Sequence, residues 1–263
     1  MRSATPDQIE AYRRDGFVLV EGFLDEDELA RWPSATDVAG AQRLAAGDGG
    51  PGDAYYRRTF LQLQRLADTN DAIAELVLDR GLGEVLATLA GVDGVRVWHD
   101  QALIKPPYGN PTAWHLDNPF WSFFSHDAIS IWVALDDTTV ENGCLWYLPG
   151  THRSARFELT EIGSSFGALF DAYPEWLGIE PVAAPCAAGG AVFHNGLVAH
   201  AAGANITPRP RRAMTCAYMP LGSTFNGTKN ILPDAYVESL EVGDVLDDDR
   251  INPVVYQSAS PLA

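Results

Sequence analysis

The sequence predicts a mainly β protein whose strands form a sandwich or a double-sheet barrel, with helices covering one outer face. Three observations point there. Up to about residue 91 the capping residues and apolar spacing are helical, whereas from Val95 onward short β-branched and aromatic runs alternate with Pro, Gly, Asn and Asp. The 263 residues suffice for one sizeable core, and no Pro/Gly/Ser-rich linker divides them. The chain therefore reads as one domain over 1–263, with a helix-rich part (1–91), a strand-rich body (about 95–220) and a C-terminal segment (221–263).

Each element has its own signal. Thr5, Pro6 and Gln8 supply an N-cap, a first-turn proline and a capping-box partner, and Gly16 stops that helix. The run 17–20 (FVLV) reads as a strand, and Asp25 with Glu28 caps a helix near 26–32. The Gly-, Ala- and Asp-rich stretch 33–53 reads as a loop. Apolar spacing predicts helices through YYRRTFLQLQRLAD, DAIAELVLD and LGEVLATLAG. Strands are predicted at 95–105, 112–117, 128–135, 144–148, 190–194, 197–200 and 211–219, interrupted by a partly helical excursion over 157–178.

Composition excludes several classes of function. Eighteen Lys and Arg against 35 Asp and Glu give a formal charge of -17, which repels nucleic-acid backbones and anionic membranes alike. Cys144, Cys186 and Cys216 are odd in number and widely spaced, so neither a disulfide framework nor a thiolate metal site is expected. No run has the length of a signal-peptide core or a membrane span, and a cytoplasmic monomer or homodimer acting on a small molecule is the expectation.

The segment AWHLDNPFW (113–121) carries the chemistry. On a strand, His115 and Asp117 point to the same side. A divalent metal needs a third protein ligand, and the candidates are His99, His126, His152, His194 and His200, of which His200 lies on a later strand. Two histidines and one carboxylate leave coordination positions open, the pattern of non-haem Fe(II) oxygenases. Eleven residues after His200, Arg211 opens an apolar strand, where a buried guanidinium calls for an anion such as a dicarboxylate co-substrate. Arg209 and Arg212 read as a solvated turn.

Four motifs in order, QIEAYRRDGFVLVEGFLDEDEL, WHLD, NGCLWYLPGTHR and the His200-to-Arg211 stretch with GANITPRPRRA, resemble the phytanoyl-CoA dioxygenase family of Fe(II)/2-oxoglutarate oxygenases. The resemblance implies a double-stranded β-helix (jelly-roll, cupin-like) core. It makes His115, Asp117 and His200 the iron ligands and Arg211 the clamp on the far carboxylate of 2-oxoglutarate, with O2 as the second co-substrate. Family members often carry a serine two residues after the distal histidine, where this chain has Ala202, so Thr215 or Thr207 is expected to stand in. Trp132 resembles a tryptophan of the co-substrate pocket, with core packing as its alternative.

Further readings concern the pocket. His99, Gln101, Leu103 and Lys105 share a strand face, so Gln101 and Lys105 are placed to hold co-substrate or substrate, or Lys105 snorkels to solvent. Phe120 and Trp121 are expected to wall the substrate space and Asn118 to hydrogen-bond a metal-bound water or a substrate hydroxyl, while Phe123 and Phe124 pack in the core. His152 reads as structural, and the acidic stretch 237–250 as a solvated surface or a cover for the site mouth. Hydroxylation of an unactivated C–H bond is the expected reaction, with release of succinate and CO2. The alternatives are an oxidative cyclase or desaturase, a halogenase, which Asp117 opposes by filling the place such enzymes leave for chloride, and a binding module without iron.

Overall fold

The computed structural model describes residues 3–47 and 54–259. In chain order its elements are α1 (Pro6–Asp15), β1 (Phe17–Val20), α2 (Glu26–Ala45), α3 (Ala54–Arg57), β2 (Leu61–Gln64), α4 (Asp71–Val77), α5 (Arg80–Ala90), β3 (Gly94–Lys105), β4 (Thr112–His115) and β5 (Ile129–Ala134). They continue with β6 (Leu145–Tyr147), α6 (Leu169–Ala172), β7 (Val182–Ala184), β8 (Ala191–Asn195), β9 (His200–Ala202), β10 (Arg211–Pro220), α7 (Asp234–Val237) and β11 (Val254–Gln257). The larger sheet runs β1-β8-β5-β10-β3-β11, with β2 also on β3, and the smaller runs β4-β9-β6-β7, every pair being antiparallel.

Alternation along the central strands decides how the layers stack. Ile129, Ile131 and Val133 of β5, with Met214, Cys216 and Tyr218 of β10, face the helices, where they bury Trp32, Leu82 and Leu86. Their neighbours Trp132, Ala134 and Ala213 turn the other way and pack on Leu145, Tyr147 and Ala202 of the smaller sheet. Beyond the smaller sheet, Trp114, Ala199 and Ala201 lie under Leu169, Tyr173 and Trp176 of the partly helical excursion. This is the double-stranded β-helix core, and the inner faces of both sheets form its interior.

Four local expectations are corrected. The stretch 33–53 is helical as far as Ala45, because Trp32, Thr36, Ala39 and Gly40 recur at one-turn spacing and are buried, which carries α2 past Pro33; residues 48–53 lie outside the described ones. LQLQ (61–64) is a strand, with Leu63 in the helix-facing core and Gln62 and Gln64 turned inward. The strand expected over 112–117 ends at His115, and Asp117 has helical backbone angles (φ -80°, ψ -48°). The strand expected at 197–200 begins only at His200, because Asn195 accepts the Leu197 N–H through its side chain and closes a turn. β7 and β11 were not anticipated from sequence, and no helix among the described residues is long and apolar enough to cross a membrane.

Candidate active site

His115 and His200 face each other across β4 and β9 as register partners, their ring centroids 4.1 Å apart. Their Nδ1 atoms donate to Ala113 O (2.8 Å) and Val198 O (3.1 Å), which leaves both Nε2 lone pairs free. Asp117 follows the end of β4, anchored by its N–H on Gly196 O, and its Oδ1 lies 3.6 Å from His115 Nε2 and 3.7 Å from His200 Nε2. One ligand atom from each of the three lies within 4.8 Å of the others, so the group can hold a divalent cation. Burial, reinforced by His115, pushes the His200 imidazole down to about 3, which keeps it an unprotonated donor. Burial opposes the ionised Asp117, yet the surrounding imidazoles of His200, His115 and His194 hold it well below the usual carboxylate range.

A cavity of about 120 Å³ reaches from this triad to Arg211. Arg211 is 3% exposed and lies over Trp132 (5.2 Å); Nη2 donates to Gly143 O (3.1 Å), while Nε and Nη1 have no hydrogen-bond partner among the described residues. Burial lowers its pKa to about 10, so the guanidinium stays charged without a carboxylate partner among the described residues. The donor set fits a small diacid bridging Arg211 and a metal on the triad. Thr215 lines the same cavity with an unpartnered hydroxyl, whereas the Thr207 hydroxyl is bonded to Asn205 Oδ1 (2.7 Å). Arg212, next in sequence, faces the other way and pairs with Asp136 (2.6 Å) and Asp37 (2.7 Å), rather than lying in a solvated turn.

A second cavity, of about 720 Å³, adjoins the first and shares Asp117, Gln101 and Thr215 with it. Its floor is the inner face of the larger sheet, where register sets residues in rows. His194, Ser130, Ala217 and His99 form one row, and Trp132, Thr215, Gln101 and Gln64 the next. Phe120, Trp121 and Ile231 supply the apolar walls. His99 Nδ1 and Ser130 Oγ are buried on either side of Ala217, with no hydrogen-bond partner among the described residues. Among the described residues no lysine or arginine lines this cavity, and the acids that do are Asp117 and Glu161.

Two expected site residues are placed elsewhere. Lys105 neither reaches a cavity nor snorkels: it is fully buried, and its Nζ donates to Thr59 O (3.3 Å) and Asn110 O (2.7 Å). Burial and the neighbouring Arg211 push its pKa down to about 7. Asn118 is also fully buried, donating to Phe123 O (3.2 Å) and accepting from Ser125 N (3.0 Å); it ties a loop and offers nothing to a ligand. Phe123 is core as expected, but Phe124 is exposed and meets Phe157. His152 bonds Arg13 O, and the acidic stretch 237–250 is mostly solvated, the rim being formed instead by Asn230 and Ile231. Sequence reasoning missed Ser130, Tyr147, Gln62 and Gln64, and passed over His194; only the LQLQ alternation was visible in advance.

Burial sets His99 down to about 4 from 6.5, so it is neutral when folded. The unfolded chain then binds the extra proton, and stability falls as pH drops through the window from about 6.5 to about 4. The expected contribution is up to ~1.4 kcal/mol per pH unit in that window. Urea unfolding at pH 7 and pH 5 should show a smaller acid loss in His99→Phe than in the wild type; equal losses would remove His99 from the account.

The chain matches the family model described as Phytanoyl-CoA dioxygenase (PhyH) over residues 12–213. This protein belongs to the phytanoyl-CoA dioxygenase family. Phytanoyl-CoA dioxygenase domain-containing protein 1 of Bos taurus is 26% identical to it, over 88% of this chain and 96% of that one. Among solved structures, the non-heme alpha ketoglutarate dependent carbocyclase SnoK from nogalamycin biosynthesis superposes with a TM-score of 0.82 at 26% identity, covering 96% of this chain and 97% of its own. The epimerase SnoN, in complex with Fe3+, alpha ketoglutarate and nogalamycin RO, gives 0.76 at 26% identity, over 95% and 98%. This family member is a non-haem iron, 2-oxoglutarate-dependent oxygenase, with iron and 2-oxoglutarate as its cofactor and co-substrate.

Proposed function

We propose that this oxygenase hydroxylates a C–H bond of a small organic molecule that is neutral or cationic, with His115, Asp117 and His200 as the iron ligands and Arg211 as the clamp on 2-oxoglutarate. One observation carries this reading: the three-ligand cluster and an uncompensated buried guanidinium share one small cavity, while a larger one meets the same Asp117. Bound there, iron with 2-oxoglutarate and O2 supplies the oxidising chemistry, in which the keto acid becomes succinate and CO2. The chain's own residues do the rest. Arg211 and the Thr215 hydroxyl orient the diacid, and Trp132 closes its pocket against water. Phe120 and Trp121 present flat apolar walls to the substrate, and the unpartnered His99 Nδ1 and Ser130 Oγ offer hydrogen bonds to a neutral oxygen function seated over Ala217.

Among the described residues no lysine or arginine lines the larger cavity, while Asp117 and Glu161 do, which argues against a polyanionic substrate such as a CoA thioester. A second reading, oxidative ring closure, is favoured by the superposition on a carbocyclase. The test is Fe(II)-dependent succinate formation across a panel of neutral and amine-bearing metabolites, with product masses read under labelled O2. Gain of one labelled oxygen supports hydroxylation, loss of two hydrogens supports ring closure, and failure of the protein to bind Fe(II) and 2-oxoglutarate overturns both.

A further inference from the structure

The two oxygens of Asp117 have different partners. Oδ1 faces the Nε2 atoms of His115 and His200, while Oδ2 lies 3.3 Å from Nε2 of His194, across on β8 of the larger sheet. His194 is 2% exposed, and its Nδ1 lies 3.1 Å from the hydroxyl of Tyr147 on β6 of the smaller sheet. Tyr147 is fully buried, stacked on Phe17 (4.2 Å, 9°) and lying 5.9 Å from the His200 ring. A carboxylate only accepts, so a hydrogen bond across this 3.3 Å contact requires the hydrogen on His194 Nε2. The Nδ1 lone pair then accepts from the Tyr147 hydroxyl. His194 stands outside the cluster of mutually close ligand atoms, which comprises His115, Asp117 and His200.

Asp117 needs such a partner. It lies beyond the end of β4 in a helical conformation, so the pleat of the strand does not aim its side chain. We propose that Tyr147 and His194 are positioning residues acting in series, Tyr147 orienting His194 and His194 holding Asp117 Oδ2, so that Oδ1 alone is presented to the metal. This rests on the reading of His115, Asp117 and His200 as the iron site.

The test uses Co(II) as a redox-stable probe, titrated into the metal-free protein and followed by its visible absorption. His194→Leu is expected to weaken Co(II) binding about ten- to a hundredfold and to change the spectrum. His194→Gln, which keeps an N–H donor, should recover most of the affinity. Tyr147→Phe should lose about fivefold, the scale of one neutral hydrogen bond. Because the two act in series, Tyr147→Phe should cost nothing further in the His194→Leu background, whereas independent packing roles would add. Imidazole 15N NMR of the Zn(II)-loaded wild type, with the His194 signal assigned by its loss in His194→Gln, should report the Nε2–H tautomer. That measurement stands even if His194→Leu fails to fold. Unchanged affinity and spectrum in His194→Leu, additive losses, or an Nδ1–H tautomer would overturn the proposal while leaving the iron site standing. A wild type that binds no Co(II) would overturn the iron reading and this proposal with it.

Discussion

Arg211→Ala raises the concentration of 2-oxoglutarate needed for half-maximal succinate formation by on the order of a hundredfold, the loss expected when charge-assisted hydrogen bonds worth about 3 kcal/mol are removed. Arg212→Ala leaves that concentration near the wild-type value. The two arginines are adjacent in sequence and opposite in space: Arg211 points between the sheets with Nε and Nη1 unpartnered, and Arg212 points outward to Asp136 and Asp37. Stability should separate them in the reverse sense. Without co-substrate, Arg211 is a buried charge that meets a carbonyl and the Trp132 ring but no carboxylate among the described residues, so its removal should leave the melting temperature unchanged or raised. Removing Arg212 breaks two half-exposed ion pairs, each worth roughly 0.2–1 kcal/mol. Arg211→Lys should fall between the wild type and Arg211→Ala, since an ammonium keeps the charge and loses the fork. Equal 2-oxoglutarate requirements in Arg211→Ala and Arg212→Ala would place the diacid outside this cavity.

The parts of the site that sequence could show were those encoded locally. His115 and Asp117 lie two apart in one segment, and Arg211 is conspicuous because a cation opens an apolar strand. Even there the route differed, since strand alternation put both ligands on one side, whereas the chain leaves the strand at His115 and Asp117 returns to its neighbour through a turn. What sequence could not show was register. Ser130 and His99 share a cavity only because both pair with Ala217, and His194 meets Asp117 only because β8 pairs with β5 in the opposite sheet. Lys105 shows the converse failure: it lies on the inward-facing parity of β3, yet at the end of the strand the carbonyls of Thr59 and Asn110 offered better partners than a cavity shared with Arg211. The extent of α2 escaped because Ala- and Gly-rich composition suggested a loop, while the one-turn spacing of Trp32, Thr36 and Gly40 supplied a buried face.

In a buffer of high chloride the wild-type protein should still return an oxygenated product. The carboxylate of Asp117 occupies the place that iron-dependent halogenases of this scaffold leave for the halide, and His194 holds its second oxygen, so the group is anchored rather than displaceable. With labelled O2, one labelled atom should appear in the substrate and one in succinate, and a chlorinated major product from the wild type would sink the hydroxylase reading. Asp117→Asn keeps the shape and loses the charge. Since outer partners of a metal site are typically worth ten- to a hundredfold, loss of an inner anionic ligand should lower metal affinity and turnover by at least about a hundredfold. Asp117→Gly goes further, because it vacates the space beside His115 and His200 and leaves the His194 Nε2–H directed into it without an acceptor. Hydroxylation should disappear in that variant, and chloride, an acceptor for the same N–H, should raise its metal affinity where it leaves the wild type unchanged. If Asp117→Gly binds Co(II) no more tightly with chloride than with a non-coordinating anion, His194 does not address that space, and the account of how Asp117 is held must be abandoned.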